Sequence, residues 1–369
     1  MADFLDKLSE AIEARRENIE LQLRTQPAPG EQDLERLVQD HWLALPPSPP
    51  PSGRPAYAID GSVGEASLDN GCFVFIVQAL CIGSDACEQP RADIQILPPA
   101  TPRSTAMRFA DLFQRHHELS LACEMAGRIP EGGVLYLDGA LYGFLPQLYA
   151  LPLDGWGVAD ELPDVILAEY LQLVETCRRR GVQLVAVAKT SREATHCKLW
   201  LEALDLASDK LTALTRESTD SQMIHRWTDG AAGHSVPVVL GKWGFTGGSR
   251  AMLDQPEVCA SPAIVSFFVR LAELDDALRI DVPACQLGLG TCLGDLEGAV
   301  LDDGPERVRP VIDLLAADYG GLEVYNALLY SVDREVRLKR TMLRDVYLPL
   351  IEGATGLALR RDRSQRRFA

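Results

Sequence analysis

Twice in this chain an apolar, strand-like run ends in Asp-Gly. Residues 56–62 read AYAIDGS, and residues 134–140 read VLYLDGA. A strand that carries an aspartate to its end must fold so that something positive meets the carboxylate, because taking an unpaired charge out of water is costly. Alternation along the first run sets Tyr57 and Ile59 on one face and Ala58, Asp60 and Ser62 on the other. Gly61 leaves room for a close approach. A lone Asp in this setting is commonly a turn former or a helix cap. Two in the same context, 78 residues apart, point to a pair. If their strands are neighbours, the carboxylates repel unless a cation joins them, and Mg²⁺ or Mn²⁺ suits carboxylate oxygens.

The surrounding pattern is that of an α/β protein. Residues 3–26 and 32–45 have helical apolar spacing. The tract PPSPPPSGRP, 46–55, then acts as a stiff spacer. This predicts a helical arm over 1–45, a linker over 46–55, a main body over 56–340 and a C-terminal segment, 341–369, with a basic tail. The body opens with a strand at 56–63, a turn at Asn70-Gly71, a strand at 72–80 and a third at 92–97. A helix at 104–128, a strand at 133–139, a loop at 143–163, a helix at 164–180 and a strand at 182–189 follow. Thr190 and Glu193 read as a capping box opening a helix through about Leu206. Residues 207–260 show no clear pattern; strands return at 263–270 and 278–282, and helices at 306–318 and 323–340. The expected core is a mixed sheet, three antiparallel strands and then parallel ones, flanked by helices. Carboxylates at strand ends can converge on one edge of such a sheet.

Further candidates lie around the two aspartates. Glu118 and Glu124 sit on the 104–128 helix, where solvation is the default for any one Glu. Lys189 ends the strand LVAVA directly before a helix start, where anions such as phosphate bind; a surface lysine accounts for it equally well. Asp333 has Leu329 four residues before it and Val336 three after, which places it on the apolar stripe of the last helix. An ion pair with Arg would explain it too. Tyr325, eight residues earlier, looks to the same side.

Other signals are negative. His196, His225 and His234 are too scattered for a zinc site, GLGTCLG (288–294) is no dinucleotide fingerprint, and GFTGGSR (244–250) is no Walker A motif. Nine cysteines without a C-x-x-C pair read as reduced thiols. No run has membrane-spanning length, and the charged start does not resemble a secretory signal, so a cytoplasmic address is expected. The net charge of −17 argues against a passive nucleic-acid coat.

In order along the chain stand YAIDGS, the helix with Glu118, LYLDGAL, VAVAKTS, AIVSFFVRL followed by RIDVP, and a closing helix with Tyr325 and Asp333. This set, from about Ala56 to Leu338, resembles the NurA nuclease family. The resemblance implies an RNase H-like core and a nuclease dependent on Mn²⁺ or Mg²⁺ that degrades DNA 5′ to 3′, with single-strand endonuclease activity. It also implies a homodimer, partnership with the hexameric helicase HerA, and a place in DNA end resection and recombinational repair at the nucleoid. By position, Asp60, Glu118 and Asp138 would be metal ligands, with Glu124 the alternate to Glu118. Lys189 would contact phosphate, and Tyr325 would sit near the site. Asp333 stands where the family often has His, and it remains a competent hard-metal ligand. Three or four such carboxylates suffice for two ions.

Against the acidic balance, local basic clusters at Arg178–Arg180, Arg334–Arg340 and the tail would have to supply a DNA path. Two other readings use the same residues. One is a different RNase H-like nuclease, cutting DNA internally or RNA. The other is an adapter with a degenerate site that docks on a hexameric ATPase through its first amphipathic helix.

Overall fold

The computed structural model describes residues 4–23, 31–47, 53–149, 158–191, 193–202 and 219–362. The chain enters through α1 (Phe4–Ala14), α2 (Arg16–Leu23) and α3 (Glu31–Asp40), the helix expected over 3–26 being broken at Arg15. The helix expected over 32–45 stops at Asp40. Trp42 and Leu43 form β1 (Trp42–Leu43) instead, because they pair with a strand far along the chain, His234 and Ser235.

β2 (Ala56–Ser67) and β3 (Phe73–Gly83) pair antiparallel from Tyr57↔Gly83 to Ser67↔Phe73, around the predicted Asn70-Gly71 turn, with Gly71 at φ +86°. β4 (Glu88–Leu97) pairs with β3 and begins four residues before the expected strand. Among the described residues no strand pairs with its outer edge, so its polar start, with Pro90, needs no apolar signature. α4 (Arg103–Ala126) leads to β5 (Val134–Asp138), and α5 (Val158–Arg180) leads to β6 (Gln183–Ala188). α5 starts earlier than expected and takes Pro163 in its second turn. β5 runs parallel to β2 and to β6. The order β4-β3-β2-β5-β6, with the first three strands antiparallel and the next two parallel to β2, is an RNase H-like core.

The sheet then extends beyond that core. After α6 (Thr195–Glu202) and α7 (Asp220–Trp227) come β7 (Gly233–Ser235), β8 (Val238–Leu240), α8 (Pro256–Ala260), β9 (Ile264–Arg270), β10 (Leu278–Pro283) and β11 (Gly298–Val300). β10, β9, β7 and β1 add in that order beyond β6, while β8 and β11 branch from β9. α9 (Gly304–Ala317) and α10 (Ala327–Val336) follow, and residues 340–355 are helical. Alternation divides the buried side chains between two faces. Tyr57, Ile59, Leu135, Leu137, Leu184 and Ala186 face α3 to α7. Ala58, Tyr136, Val185 and Val187 face α9 and α10.

The expected Thr190–Glu193 capping box is absent. α6 starts at Thr195, and its first amides, His196 N and Cys197 N, donate to the carboxylate of Asp220 at 3.0 Å each. Asp220 is fully buried. Burial disfavours its charge, but the hydrogen bonds and charge of His196 and the helix amides outweigh this and lower its pKa. A cap delivered from 24 residues away leaves no local pattern to read. The end of that helix near Leu206, the middle of the Pro-rich tract and the tail beyond Asp362 lie outside the described residues. Replacing Asp220 by Ala strands two buried N–H groups and should cost about 1–3 kcal/mol, seen as a lower urea midpoint with an unchanged slope.

Candidate active site

Asp60 and Asp138 lie side by side. The parallel pairing of β2 with β5 runs to Ile59↔Leu137, so the two aspartates occupy the next level on adjacent strands. Both continue the face of Ala58 and Tyr136, toward α9 and α10. Asp60 is only 8% exposed, and its Oδ1 accepts the Gly61 N–H at 2.8 Å.

The two glycines after the aspartates have different reasons. A Cβ on Gly61 would stand 2.6 Å from Glu118 Oε1 and 2.9 Å from its Cγ, so only glycine lets α4 bring Glu118 against β2. Gly139 instead holds φ at +99°, the left-handed region that lets the chain turn out of β5. Glu118 is buried. Its Oε1 accepts from Gln114 Nε2 at 2.8 Å, and Gln114 also donates to the Gly61 carbonyl at 3.1 Å. Arg115 Nη1 lies 3.0 Å from Glu118 Oε2, with its guanidinium over the Phe144 ring at 5.2 Å. Gln114 and Arg115 were not singled out from the sequence; the three-residue spacing of Arg115 and Glu118 on one helix was the available signal. Glu124 takes no part in this cluster and pairs with Arg91 at 2.9 Å and with Arg128.

Lys189 follows β6 and continues the Val185–Val187 face onto the same side as the aspartates. Its Nζ lies 2.8 Å from Asp138 Oδ2 and 3.8 Å from Asp333 Oδ2, and 5.1 Å from the centroid of the Tyr325 ring. Two expectations are corrected here. Tyr325 precedes α10, because Asn326 caps that helix by accepting the N–H groups of Leu328 and Leu329. Asp333 is not on the apolar stripe, which is Leu329, Val332 and Val336; its side chain is 45% exposed and reaches sideways to Lys189. The two residues still meet, through the lysine and not through a shared helix face.

Negative charge dominates the cluster. Burial, then Asp138 and Glu118, push the Asp60 carboxyl up to about 7. Burial works against the Lys189 ammonium, but its hydrogen bond to Asp138 and that group's charge carry its pKa above the ordinary value. Burial and Asp138 raise the Tyr325 phenol, while the Lys189 ammonium beside it acts the other way. The donors, carboxylate oxygens short of positive charge, fit a hard divalent cation. Among the described residues no three such groups stand close enough to hold one as they are. Lys189 and Arg115 already lie against Asp138 and Glu118, so taking up a metal requires these two cations to give way.

The basic clusters divide between the ends of the sheet. Arg178–Arg180 end α5, ahead of the start of β6, whereas Lys189 follows its other end. The segment carrying Arg337, Lys339 and Arg340 crosses β2 just beyond Asp60, since Leu338 N donates to Ser62 Oγ at 3.0 Å and the Leu338 side chain fills the space over Gly64.

The Asp60 shift has a measurable sign. Between the ordinary value of 3.8 and about 7, the folded protein keeps a proton that the unfolded chain releases, so stability is lost as pH rises through that window. Without metal, Asp60→Asn should melt higher than the wild type at pH 8 and close to it at pH 4. Added Mn²⁺ should raise the wild-type melting temperature at pH 8 and the variant's far less.

A family model, the NurA domain, matches residues 54–288, well over half of the chain, ending before Tyr325 and Asp333. No curated protein matches. The crystal structure of the NurA nuclease from Sulfolobus solfataricus is similar over 96% of this chain and 98% of its own, at 17% identity and a TM-score of 0.61. A crystal structure of NurA with manganese is similar over 95% and 97%, at 13% identity and a TM-score of 0.53. One of NurA bound to dAMP and manganese is similar over 95% and 98%, at 12% identity and a TM-score of 0.53. The likenesses show a shared fold, and the domain model, matching well over half of the chain, shows the family: the chain belongs to the NurA domain family.

Proposed function

We propose that this protein is a metal-dependent nuclease that cuts DNA at the Asp60–Asp138 cluster. The observation that carries the reading is the parallel pairing of β2 and β5, which sets two carboxylates side by side with a lysine bridging to a third. Two carboxylates packed side by side with this little positive charge repel each other, and a bound cation would relieve that repulsion. Asp60, Glu118, Asp138 and Asp333 would hold the metal, Mn²⁺ or Mg²⁺, with two ions the arrangement four carboxylates suit. Bound there, divalent metal supplies Lewis-acid polarisation of the scissile phosphate and a lowered pKa for its water.

The chain's own groups do the rest. Lys189, freed from Asp138, meets the charge that builds on the non-bridging phosphate oxygens, where a fixed cation in a dry site is most effective. The Tyr325 ring holds the ammonium from the other side and limits where it can go. Arg115, freed from Glu118, supplies a second cation beside the phosphate. Gln114 keeps Glu118 oriented by holding it to the β2 backbone. Arg337, Lys339 and Arg340, on the segment that crosses β2 at Ser62, would draw the strand toward the cluster.

The finer reading is of DNA ends degraded 5′ to 3′, with single-strand endonuclease activity, by a homodimer working with a HerA-type hexameric motor in resection and recombinational repair. Its supports are the family, the few cations near the site against a −17 charge, and α1. Phe4 and Leu5 on α1 are each 78% exposed, an apolar face suited to a partner. A motor that feeds DNA in removes the need for strong autonomous affinity, so cutting should be weak alone and faster with the motor.

Digestion of labelled single- and double-stranded linear DNA with Mn²⁺, Mg²⁺ or EDTA tests the reading. Wild type should cut only with metal, and Asp138→Asn should abolish cutting while keeping the fold. Gly61→Ala, which drives Glu118 off β2, should cost about 100-fold, the scale of an ångström's misplacement. No cutting by folded wild type, with or without a motor, would favour the adapter, whose mark is stimulation of an ATPase.

A further inference from the structure

On the face of the sheet opposite the Asp60 and Asp138 side chains, β10 carries two buried charges, Arg279 and Asp281. β10 lies next to β6, with Asp281 opposite Ala186. Asp281 Oδ2 accepts the backbone N–H of Leu141 at 3.1 Å and of Tyr142 at 3.3 Å, the third and fourth residues after Asp138. Its Oδ1 accepts from Ser266 Oγ at 2.6 Å and Arg279 Nε at 3.0 Å. The Arg279 guanidinium also reaches the carboxylate of Glu193, the fourth residue after Lys189. Gly143 makes room for this contact, since a Cβ there would stand 2.9 Å from Glu193 Oε1. One carboxylate–guanidinium–carboxylate chain thus ties the loop leaving β5 to the loop leaving β6.

Stability is a poor explanation for it. Buried ion pairs lose in desolvation much of what they gain, and apolar residues of similar volume commonly replace them without loss. Their geometric effect is large, however. The β5–β6 ladder holds Asp138 opposite Val187, and the chain turns away at Gly139 in the left-handed region, so the loop beyond bears on Asp138 through that turn. Asp281 holds that loop by two consecutive amides. Residues 189–191 and 193–194 are not helical, so Lys189 depends in the same way on the anchoring of Glu193.

We propose that Glu193, Arg279 and Asp281 are positioning residues that set Asp138 against Lys189 by clamping the loops behind them, and so govern how tightly the site takes up a divalent cation. This rests on the nuclease reading of the cluster and extends it to residues on the opposite face.

The test uses the full chain, with Mn²⁺ binding by calorimetry and DNA cutting measured side by side. Asp281→Asn, which leaves the amides one weaker acceptor, should weaken Mn²⁺ binding and lower kcat by roughly 10–100-fold, the usual reach of groups behind metal ligands. KM for DNA should stay unchanged. Glu193→Gln should move both in the same direction by less, and its side chain is 37% exposed, so the fold tolerates it. Arg279→Lys, which keeps the charge and loses the fork, should fall between wild type and Asp281→Asn. If Asp281→Asn does not fold, Glu193→Gln decides alone. Folded variants with wild-type Mn²⁺ affinity and kcat would reduce the chain to a structural pair and overturn the proposal. If wild type binds Mn²⁺ and the variants bind it weakly, but none cuts DNA, the positioning role stands and the nuclease reading falls. If wild type binds no Mn²⁺, both fall.

Discussion

The repulsion between Asp60 and Asp138 is the constraint around which the rest of this structure is arranged. Parallel pairing of β2 with β5 leaves the two carboxylates no way apart, and burial removes the water that would otherwise screen them. Three responses are visible. Asp60 becomes a weak acid, Lys189 is drawn across β6 onto Asp138, and Asp333 is brought from α10 to share that lysine. Each lowers the local cost without removing the excess negative charge.

The sheet makes this concentration of charge tolerable by surrounding it with rigid elements. β2 is long, and its hairpin with β3 is paired along its whole length, so Asp60 cannot retreat by a shift of register. α4 lies against β2 on the other face and delivers Glu118 past Gly61. β9 and β10, buried on both faces, extend the sheet behind β6 and carry the ion chain that holds the exit loops. The additions to the RNase H-like core stiffen its edge nearest the lysine.

The charge balance looks different at this scale. In a chain at −17, the cations paired with these carboxylates among the described residues are Lys189, against Asp138 and Asp333, and Arg115, against Glu118. Any ligand that displaces them leaves them free to meet a phosphate. On the proposed nuclease reading, metal uptake and substrate recognition would be two halves of one exchange.

The strands and the Asp-Gly pair were legible because local rules govern them. Alternation placed Asp60 on its face, Asn70-Gly71 closed the hairpin, and apolar runs marked β3, β5, β6, β9 and β10 within a few residues. Glu118 and Glu124 are indistinguishable by such rules, for both are glutamates on one helix; a glycine on another strand and an arginine on β4 separate them. The same limit explains the missing capping box, whose cap comes from Asp220, and the misplaced Tyr325, which Asn326 excludes from α10. Sequence alone determined which residues end strands, where turns fall and that two carboxylates need a cation, since these follow from neighbours a few positions apart. Only the tertiary structure decided which strands lie side by side, which cation answers each acid and which charges are held from behind, because those depend on contacts between residues tens to hundreds of positions apart.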